Sequence, residues 1–379
     1  MKNLPVFKLE DYLSTREFRA PYMLCASDAE THSMTELLNM ADDESANLWN
    51  KLTLNYTEPY GLPILLKEIA GLYGDAINLE NILSFAGAEE AIYCACHALL
   101  SEIDHAIVIT PCYQSLESIP SSLCDVTKIQ LRHEDGWRLD LDKVKEAIKP
   151  NTKLLLINYP HNPTGALLTK EEQAALINLA RAHNIWIFSD EVYRMLELSE
   201  QDRLPMMVDQ YEKGLSLGVM SKAFGLAGLR VGWIAFQSKD ILQKMSGLKH
   251  YLSICNSAPS EVLSLIALRN KDKILDRNLG IMKNNILLLD LFFEDYAHMV
   301  EWVRPKGGCI GFPKLKAPIS AYDFSEDLLN AKGVVTLPHT VYDFEENHFR
   351  VGFGRKNMPA ALQLMRDFID SRKEWRRAS

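Results

Sequence analysis

Between residues 81 and 236 the chain returns again and again to short, largely apolar runs separated by stretches of helical length. The runs are Asn81–Phe85, Ala106–Thr110, Val126–Leu131, Lys153–Asn158, Ile185–Ser189, Leu215–Met220 and Val231–Phe236. Strands without polar alternation are buried on both faces, and strands alternating with helices build a parallel sheet. The expectation is an α/β fold, a mostly parallel central sheet covered by helices, with a smaller α+β domain. At 379 residues the chain exceeds one compact core, so two domains are expected. Residues 1–45 read as an N-terminal arm and part of the small domain, 46–275 as the large domain and 276–379 as the small domain.

Local signals fill in the rest. Tyr56-Thr-Glu-Pro-Tyr-Gly61 is turn-rich and leads into a helix over Leu62–Tyr73, and a further helix spans Glu89–Ser101. Thr169-Lys-Glu-Glu172 is a capping box that starts a helix to about His183. From Lys239 a long helical stretch leads out of the sheet, continued by Lys271–Phe293. Trp302–Phe312 and Phe349–Phe353 read as strands, and Pro359–Lys373 as a helix. In open parallel sheets ligands bind beyond the carboxyl ends of the strands. Gly87, Tyr113, Asn162, Asp190 and Lys222 all fall just after predicted strands.

Lys222 stands at the mouth of an apolar run, where burial disfavours its charge and frees an amine for Schiff-base chemistry. Arg230, eight residues on and beyond two glycines, offers a forked cation to a phosphate; both residues could equally sit on a solvated glycine-rich loop. Gly87-Ala88-Glu89 opens a helix whose N–H groups favour an anion, a feature common to many βα units. Asp190 could meet a ring-nitrogen cation or simply cap a turn. Asn162, in Asn162-Pro-Thr-Gly165, and Tyr193 could donate to a phenolate oxygen, and Tyr113 could stack on a planar ring or fill core space. Arg350, inside an apolar strand, wants a carboxylate or phosphate partner. A phosphate cradle, a lysine, an acid for a pyridinium, an aromatic stack and a carboxylate-binding arginine are the parts for pyridoxal 5′-phosphate chemistry.

Composition narrows the partners. A net charge of −9 argues against nucleic-acid or anionic-membrane surfaces. Seven scattered cysteines without a C-x-x-C pair suit reduced thiols in a cytoplasmic protein, not disulfides or a zinc site, so no metal is expected. Met1–Asp11 carries Lys2, Lys8, Glu10 and Asp11 and no apolar core of a signal peptide, and no run is long enough to span a bilayer.

In order, Tyr56…Gly61, Gly87-Ala88-Glu89, Pro111-Cys112-Tyr113, Asn162-Pro-Thr-Gly165, Asp190-Glu-Val-Tyr193, Ser221-Lys222…Arg230-Val-Gly232 and Phe349-Arg350-Val351 resemble a class I/II aminotransferase. The resemblance is to the aspartate aminotransferase-like enzymes of the pyridoxal-phosphate fold-type I superfamily, over residues 56–353. It implies that Lys222 holds the cofactor in Schiff-base linkage and shuttles the substrate proton, and that Asp190 keeps the pyridine nitrogen protonated. It further implies Asn162 and Tyr193 on the phenolic oxygen and Tyr113 against the ring. The backbone of Gly87, Ala88 and Glu89, with Ser221 and Arg230, would hold the phosphate. Tyr56 would reach the neighbouring subunit's phosphate in a homodimer with shared sites, and Arg350, helped by Asn162, would bind the substrate carboxylate. The implied partners are an amino acid and a 2-oxo acid.

Two positions depart from that family. Val219 replaces a phosphate-binding hydroxyl, and Leu24-Cys-Ala-Ser-Asp-Ala-Glu30 replaces a glycine-rich turn against the substrate. Ser27, Asp28 or Glu30 could therefore face the substrate side chain and favour a polar or cationic one; a solvated acidic run is the plainer alternative. No second basic residue stands out for a side-chain carboxylate. A lyase, decarboxylase or amino-acid cyclase on the same scaffold, or a non-catalytic pyridoxal-phosphate-binding relative, remains compatible with the motifs. Arg350→Ala is expected to raise KM for the amino acid, with a loss of about 2–5 kcal/mol in kcat/KM if the pair is buried. Normal steady-state kinetics would place the carboxylate elsewhere.

Overall fold

A computed structural model describes residues 3–372 and Trp375; Lys2 of the N-terminal charge pattern and Lys373 at the expected end of the last helix lie outside the described residues. The apolar runs form one seven-stranded sheet. Its strands are β1 (Ile82–Phe85), β2 (His105–Thr110), β3 (Asp125–Gln130), β4 (Thr152–Asn158), β5 (Trp186–Asp190), β6 (Gly214–Val219) and β7 (Gly232–Ala235), in spatial order β1-β7-β6-β5-β4-β2-β3. Side chains alternate faces along a strand, and the two faces meet separate cores. Ala106, Val108, Leu154, Leu156 and Phe188 enter one, and Ile107, Ile109, Leu155, Ile157 and Ile187 the other. That two-sided burial is why these runs lack polar alternation.

Only β7 runs against its neighbours, antiparallel to both β1 and β6. The reversal decides where the site lies. β1, β2, β4, β5 and β6 all end at one edge of the sheet, and β7 begins there, so Arg230 joins residues that follow the other strands.

Helices cover the sheet, including Ala88–Leu99, Lys170–Ala182 with both bonds of its capping box, and Lys239–Lys249. The expected long helical stretch from Lys239 is broken: Lys239–Lys249 ends before Ala258–Arg269, and Lys271–Asp295 follows. Between the first two, Ile254 takes a left-handed conformation, and Pro259 sits in the first turn of the second. Trp302–Phe312 is not one strand either; only Ile310–Gly311 is, because residues around Gly307 and Gly308 bind the backbone of Gly165 and Leu196 instead.

The N- and C-terminal regions are interleaved. Tyr22–Met23 pairs in parallel with Val334–Val335, and Phe349–Gly352 lies between Ile310–Gly311 and Leu337–Pro338. The long helix Lys271–Asp295 binds both halves of the site: Asn278 Nδ2 donates to Ala223 O at 2.9 Å, and Asn285 Nδ2 to Phe353 O at 3.0 Å. Gly352 N donates to Leu24 O at 2.5 Å, and a Cβ on Gly352 would run into the carbonyl of Ala26. Gly352→Ala is expected to cost about 1–3 kcal/mol by overpacking, read as a lowered unfolding midpoint. Unchanged stability would mean residues 24–26 are free to retreat from that strand.

Candidate active site

Several segments converge at the strand ends. Asp190 ends β5 in register with Asn158 of β4. Asn158 Nδ2 donates to Asp190 O at 2.9 Å, and its Oδ1 accepts from Asn162 N at 2.8 Å, which fixes the turn that carries Asn162. Asp190 is buried, and Val192 N donates to its Oδ1 at 3.2 Å. Burial raises the carboxyl to about 7, against opposing pulls from that N–H and from Lys222.

Lys222 follows β6 and is half-buried. Its Nζ donates to Ser27 Oγ at 3.0 Å and lies 5.8 Å from the centre of the Tyr193 ring. Desolvation lowers its pKa most; Asp28 pulls the other way and Arg350 adds to the lowering. Tyr193 is 1% exposed, and its hydroxyl makes no well-aligned hydrogen bond among the described residues.

Arg350, 2% exposed, donates to Cys25 O through Nε (3.2 Å) and Nη2 (2.8 Å), to Tyr342 Oη at 2.7 Å and to Asn162 Oδ1 at 3.3 Å. Tyr342 Oη also donates to Asn162 Oδ1 at 3.1 Å. Of the five guanidinium N–H groups these contacts leave one, on Nη2, while Asn162 keeps its amide N–H₂ free of described acceptors.

The helix start at Gly87 is equally defined. Gly87 has φ +93° at the start of Ala88–Leu99, and no side chain caps that helix. A Cβ on Gly87 would stand 2.5 Å from Arg230 Nη2, so glycine is what lets the guanidinium lie over the helix start. Glu89 is turned aside to Ser115 Oγ, and Glu90 accepts from Ala86 N at 2.6 Å and Ser253 N at 3.1 Å. Ser221 and Val219 are buried beside this opening. Tyr113 is half-buried, and Phe7 packs on it with ring centres 5.4 Å apart. Tyr56 stands apart from the rest, 87% exposed on the loop before Gly61.

Residues 24–363 match the family described as aminotransferase class I and II. The chain belongs to that family. Relatives of this aminotransferase-family chain include the capreomycidine synthase of Streptomyces vinaceus, 27% identical over 92% of this chain and 90% of the relative. The arginine–pyruvate transaminase AruH of Pseudomonas aeruginosa is 33% identical over 79% and 77%. Among solved structures, a pyridoxal-phosphate-dependent aminotransferase from Streptococcus suis superposes with a TM-score of 0.91 at 29% identity, covering 97% of this chain and 98% of that one. The protein is thus a pyridoxal-phosphate-dependent transferase of fold type I.

The residues present fit that cofactor. The uncapped helix start with Arg230 suits a phosphate, the Tyr193 hydroxyl, beside Ser27 but without a well-aligned hydrogen bond, suits a phenolic oxygen, and the buried Asp190 carboxyl lacks the cation a pyridinium would supply.

Sequence reasoning missed three contributors. Tyr342 binds both Arg350 and Asn162, and Asn158 orients the turn. Arg355 is a second guanidinium near the site, tied to Asp28 with Nε–Oδ1 at 3.0 Å and Nη2–Oδ2 at 2.5 Å. Tyr342 carried no signal beyond being an aromatic in a mixed stretch. Arg355 could have been suspected from Phe353-Gly-Arg355, which follows the Arg350 strand directly.

Asp190, at about 7, keeps its proton in the folded, cofactor-free protein where the unfolded chain, at its ordinary 3.8, has lost it. The folded state therefore binds more protons between those values, and stability falls as pH rises through that window. Buried Glu191 and Glu261, also raised to about 7 chiefly by burial, act in the same direction. The melting temperature of cofactor-free protein is expected to drop between about pH 5 and pH 7.5, and less so for Asp190→Asn. An equally steep drop in the variant would show that Asp190 is not among the buried acids responsible.

Proposed function

We propose that the chain is an aminotransferase that moves an amino group between an amino acid and a 2-oxo acid, with Lys222 as its central amine. The convergence of Lys222, Asp190 and Arg350 on one sheet edge carries this reading. When bound, pyridoxal phosphate supplies the electron sink that stabilises negative charge at the substrate Cα. The protein's part is to hold and orient. Gly87, Ala88 and Glu89 with Ser221 and Arg230 grip the phosphate, and Tyr113 flanks the ring. Asp190 keeps a proton on the ring nitrogen, because a buried carboxylate gains most from a fixed cation. Asn162 and Tyr193 donate to the phenolic oxygen. The remaining N–H of Arg350 and the second amide hydrogen of Asn162 form a fork for the α-carboxylate. Lys222 Nζ, its pKa lowered by desolvation, can accept the proton from Cα and return it. Val6 to Lys8, bonded to both ends of the Gln114 amide, cover Tyr113 from solvent.

The reading extends to a homodimer in which Tyr56 contacts the partner's phosphate, in a cytoplasmic enzyme of amino-acid metabolism, with the division 1–45, 46–275 and 276–379. Exposed Leu54, Tyr56, Tyr60, Tyr251 and Leu252 support the dimer. They are drawn together because Lys249 Nζ donates to Pro59 O at 2.6 Å and Thr57 Oγ1 to Asn256 O at 3.1 Å. No helix among the described residues is long and apolar enough to cross a membrane.

A second reading, a lyase, decarboxylase or amino-acid cyclase, is favoured by Ser27, whose hydroxyl meets Lys222 Nζ where the resemblance calls for a glycine-rich turn. The capreomycidine synthase similarity fits it too.

An absorbance scan of the loaded enzyme with a panel of amino acids and no oxo acid separates these readings. Loss of the yellow band with one equivalent of oxo acid released is expected, and absent in Lys222→Ala. A band that returns while ammonia, carbon dioxide or a cyclised product accumulates establishes the second reading. Turnover by the Lys222 variant would remove the central assignment.

A further inference from the structure

Ser27 and Lys222, 195 residues apart in the chain, are joined by backbone bonds as well as by their side chains. Ala29 N donates to the carbonyl of Lys222 itself at 3.2 Å. Gly225, in a left-handed turn at φ +67°, lets the two segments close up, because a Cβ there would run into the carbonyls of Ala29 and Glu30. On its other side the N-terminal segment is tied to the C-terminal strands by Cys25 N, which donates to Val335 O at 3.0 Å.

The long helix Lys271–Asp295 locks this pair of segments from behind. Asn278 is fully buried, and its Nδ2 donates to Ala223 O, one residue after the lysine, at 2.9 Å. Its Oδ1 accepts from Arg277 Nε at 3.1 Å and Nη2 at 2.9 Å. Arg277 in turn donates to Glu30 O, and to Thr31 O at 3.2 Å. One guanidinium–amide pair thus grips the chain just after Ser27 and just after Lys222.

The side-chain contact within this frame is Lys222 Nζ to Ser27 Oγ at 3.0 Å. Desolvation drives the amine toward its neutral form. A neutral amine carries two hydrogens and one lone pair, and only the lone pair can take a proton from Cα. Rotation about the Cε–Nζ bond offers that lone pair three staggered directions. An N–H given to a fixed oxygen closes one of them, the one facing the N-terminal segment. The Ser27 oxygen receives a hydrogen here, so it leaves the lone pair free. Its own hydrogen is turned elsewhere, and the Tyr193 hydroxyl lies beside it. A glycine or an apolar side chain at position 27 would leave the amine to turn.

We propose that Ser27 is a positioning residue for proton transfer: it receives one N–H of the free Lys222 amine and so keeps the lone pair directed at the substrate Cα. Arg277 and Asn278 act on the same step by holding the two segments in contact. In that step the Cα–H bond breaks, its proton joins the Nζ lone pair, and the electron pair stays with the substrate until the proton is returned. This rests on the reading of Lys222 as the amine that carries the proton.

The test compares wild type with Ser27→Ala, Ser27→Thr and Arg277→Gln, as full-length loaded enzyme and in cofactor-free form. The probe is the panel amino acid that perturbs the yellow band most, in ordinary and 2-deuterated forms and without oxo acid. Ser27→Ala is expected to slow loss of the band about tenfold or more. The deuterium isotope effect should rise, while KM and the affinity for pyridoxal phosphate stay as in wild type. Ser27→Thr, which keeps the hydroxyl, should recover most of the rate. Arg277→Gln should show the alanine pattern in weaker form and add little to Ser27→Ala. In cofactor-free protein, the pH dependence of Lys222 labelling by dinitrofluorobenzene reads the amine directly. Its pKa should fall in Ser27→Ala, because an ammonium loses more than a neutral amine when an acceptor is removed, and return in Ser27→Thr. A Ser27→Ala enzyme with wild-type rate and isotope effect, or one whose loss lies in KM or cofactor affinity, overturns the proposal, as does an unmoved Lys222 pKa. The two readings fail separately. If no oxo acid forms while Cα deuterium is still lost to water at a Ser27-dependent rate, transamination falls and the role of Ser27 stands. If oxo acid forms as fast in Ser27→Ala as in wild type, the role of Ser27 alone falls.

Discussion

Lys222 and Asp190 sit at the ends of adjacent strands, where the sheet and its helices shut out most of the water that would solvate them. Each is driven toward its neutral form by desolvation, the lysine downward and the aspartic acid upward. Neither has a full partner of its own: Asp190 keeps one backbone N–H, and Lys222 keeps the Ser27 hydroxyl. A ligand carrying a cationic ring nitrogen and an electrophilic carbon satisfies both at once. Folding here sets up ionisable groups that binding then completes, and this explains why the surrounding Asn158 and Tyr342 are so fully bonded, while Asn162 keeps its amide N–H₂ free of described acceptors. Those residues hold direction, so that the unsatisfied groups point at one place.

The fold was legible where burial on two sides forces composition. Every predicted strand of the central sheet is present within a residue or two; for all but the largely exposed edge strand Asp125–Gln130, apolar side chains on both faces leave no room for another pattern. The capping box at Thr169 was legible for an equally local reason. What escaped was set by distant contacts. The helical stretch after Lys239 breaks at a loop tied back to Pro59 and Glu90, and the run after Trp302 stays irregular because its backbone bonds to Gly165 and Leu196. Neither partner lies within a local window.

The site divides along the same line. Gly87, Asn162, Asp190, Lys222 and Arg230 were picked out because their positions follow from strand ends, and the structure brings them to one edge. Arg350 was found because a guanidinium inside an apolar strand demands a partner. Tyr342 and Arg355 depend on side-chain directions in a region with little regular structure, and no spacing rule leads to them. The segment Leu24–Glu30 lies between these cases. Its acids were visible in sequence, yet only the contacts distinguish their roles: Asp28 closes on Arg355, Glu30 on a backbone N–H, and Ser27 on the lysine.

That division of labour bears on how one scaffold changes chemistry. The groups proposed to serve the cofactor lie at the strand ends of the rigid sheet, whereas those proposed for the substrate lie on the N-terminal segment and the strand bearing Arg350. Ser27 is where the two sets touch. A hydroxyl in contact with Lys222 Nζ helps orient that amine, while the neighbouring Asp28 is held by Arg355. Substitution along residues 24–30 can therefore alter substrate and proton path together without disturbing a single residue of the cofactor cradle.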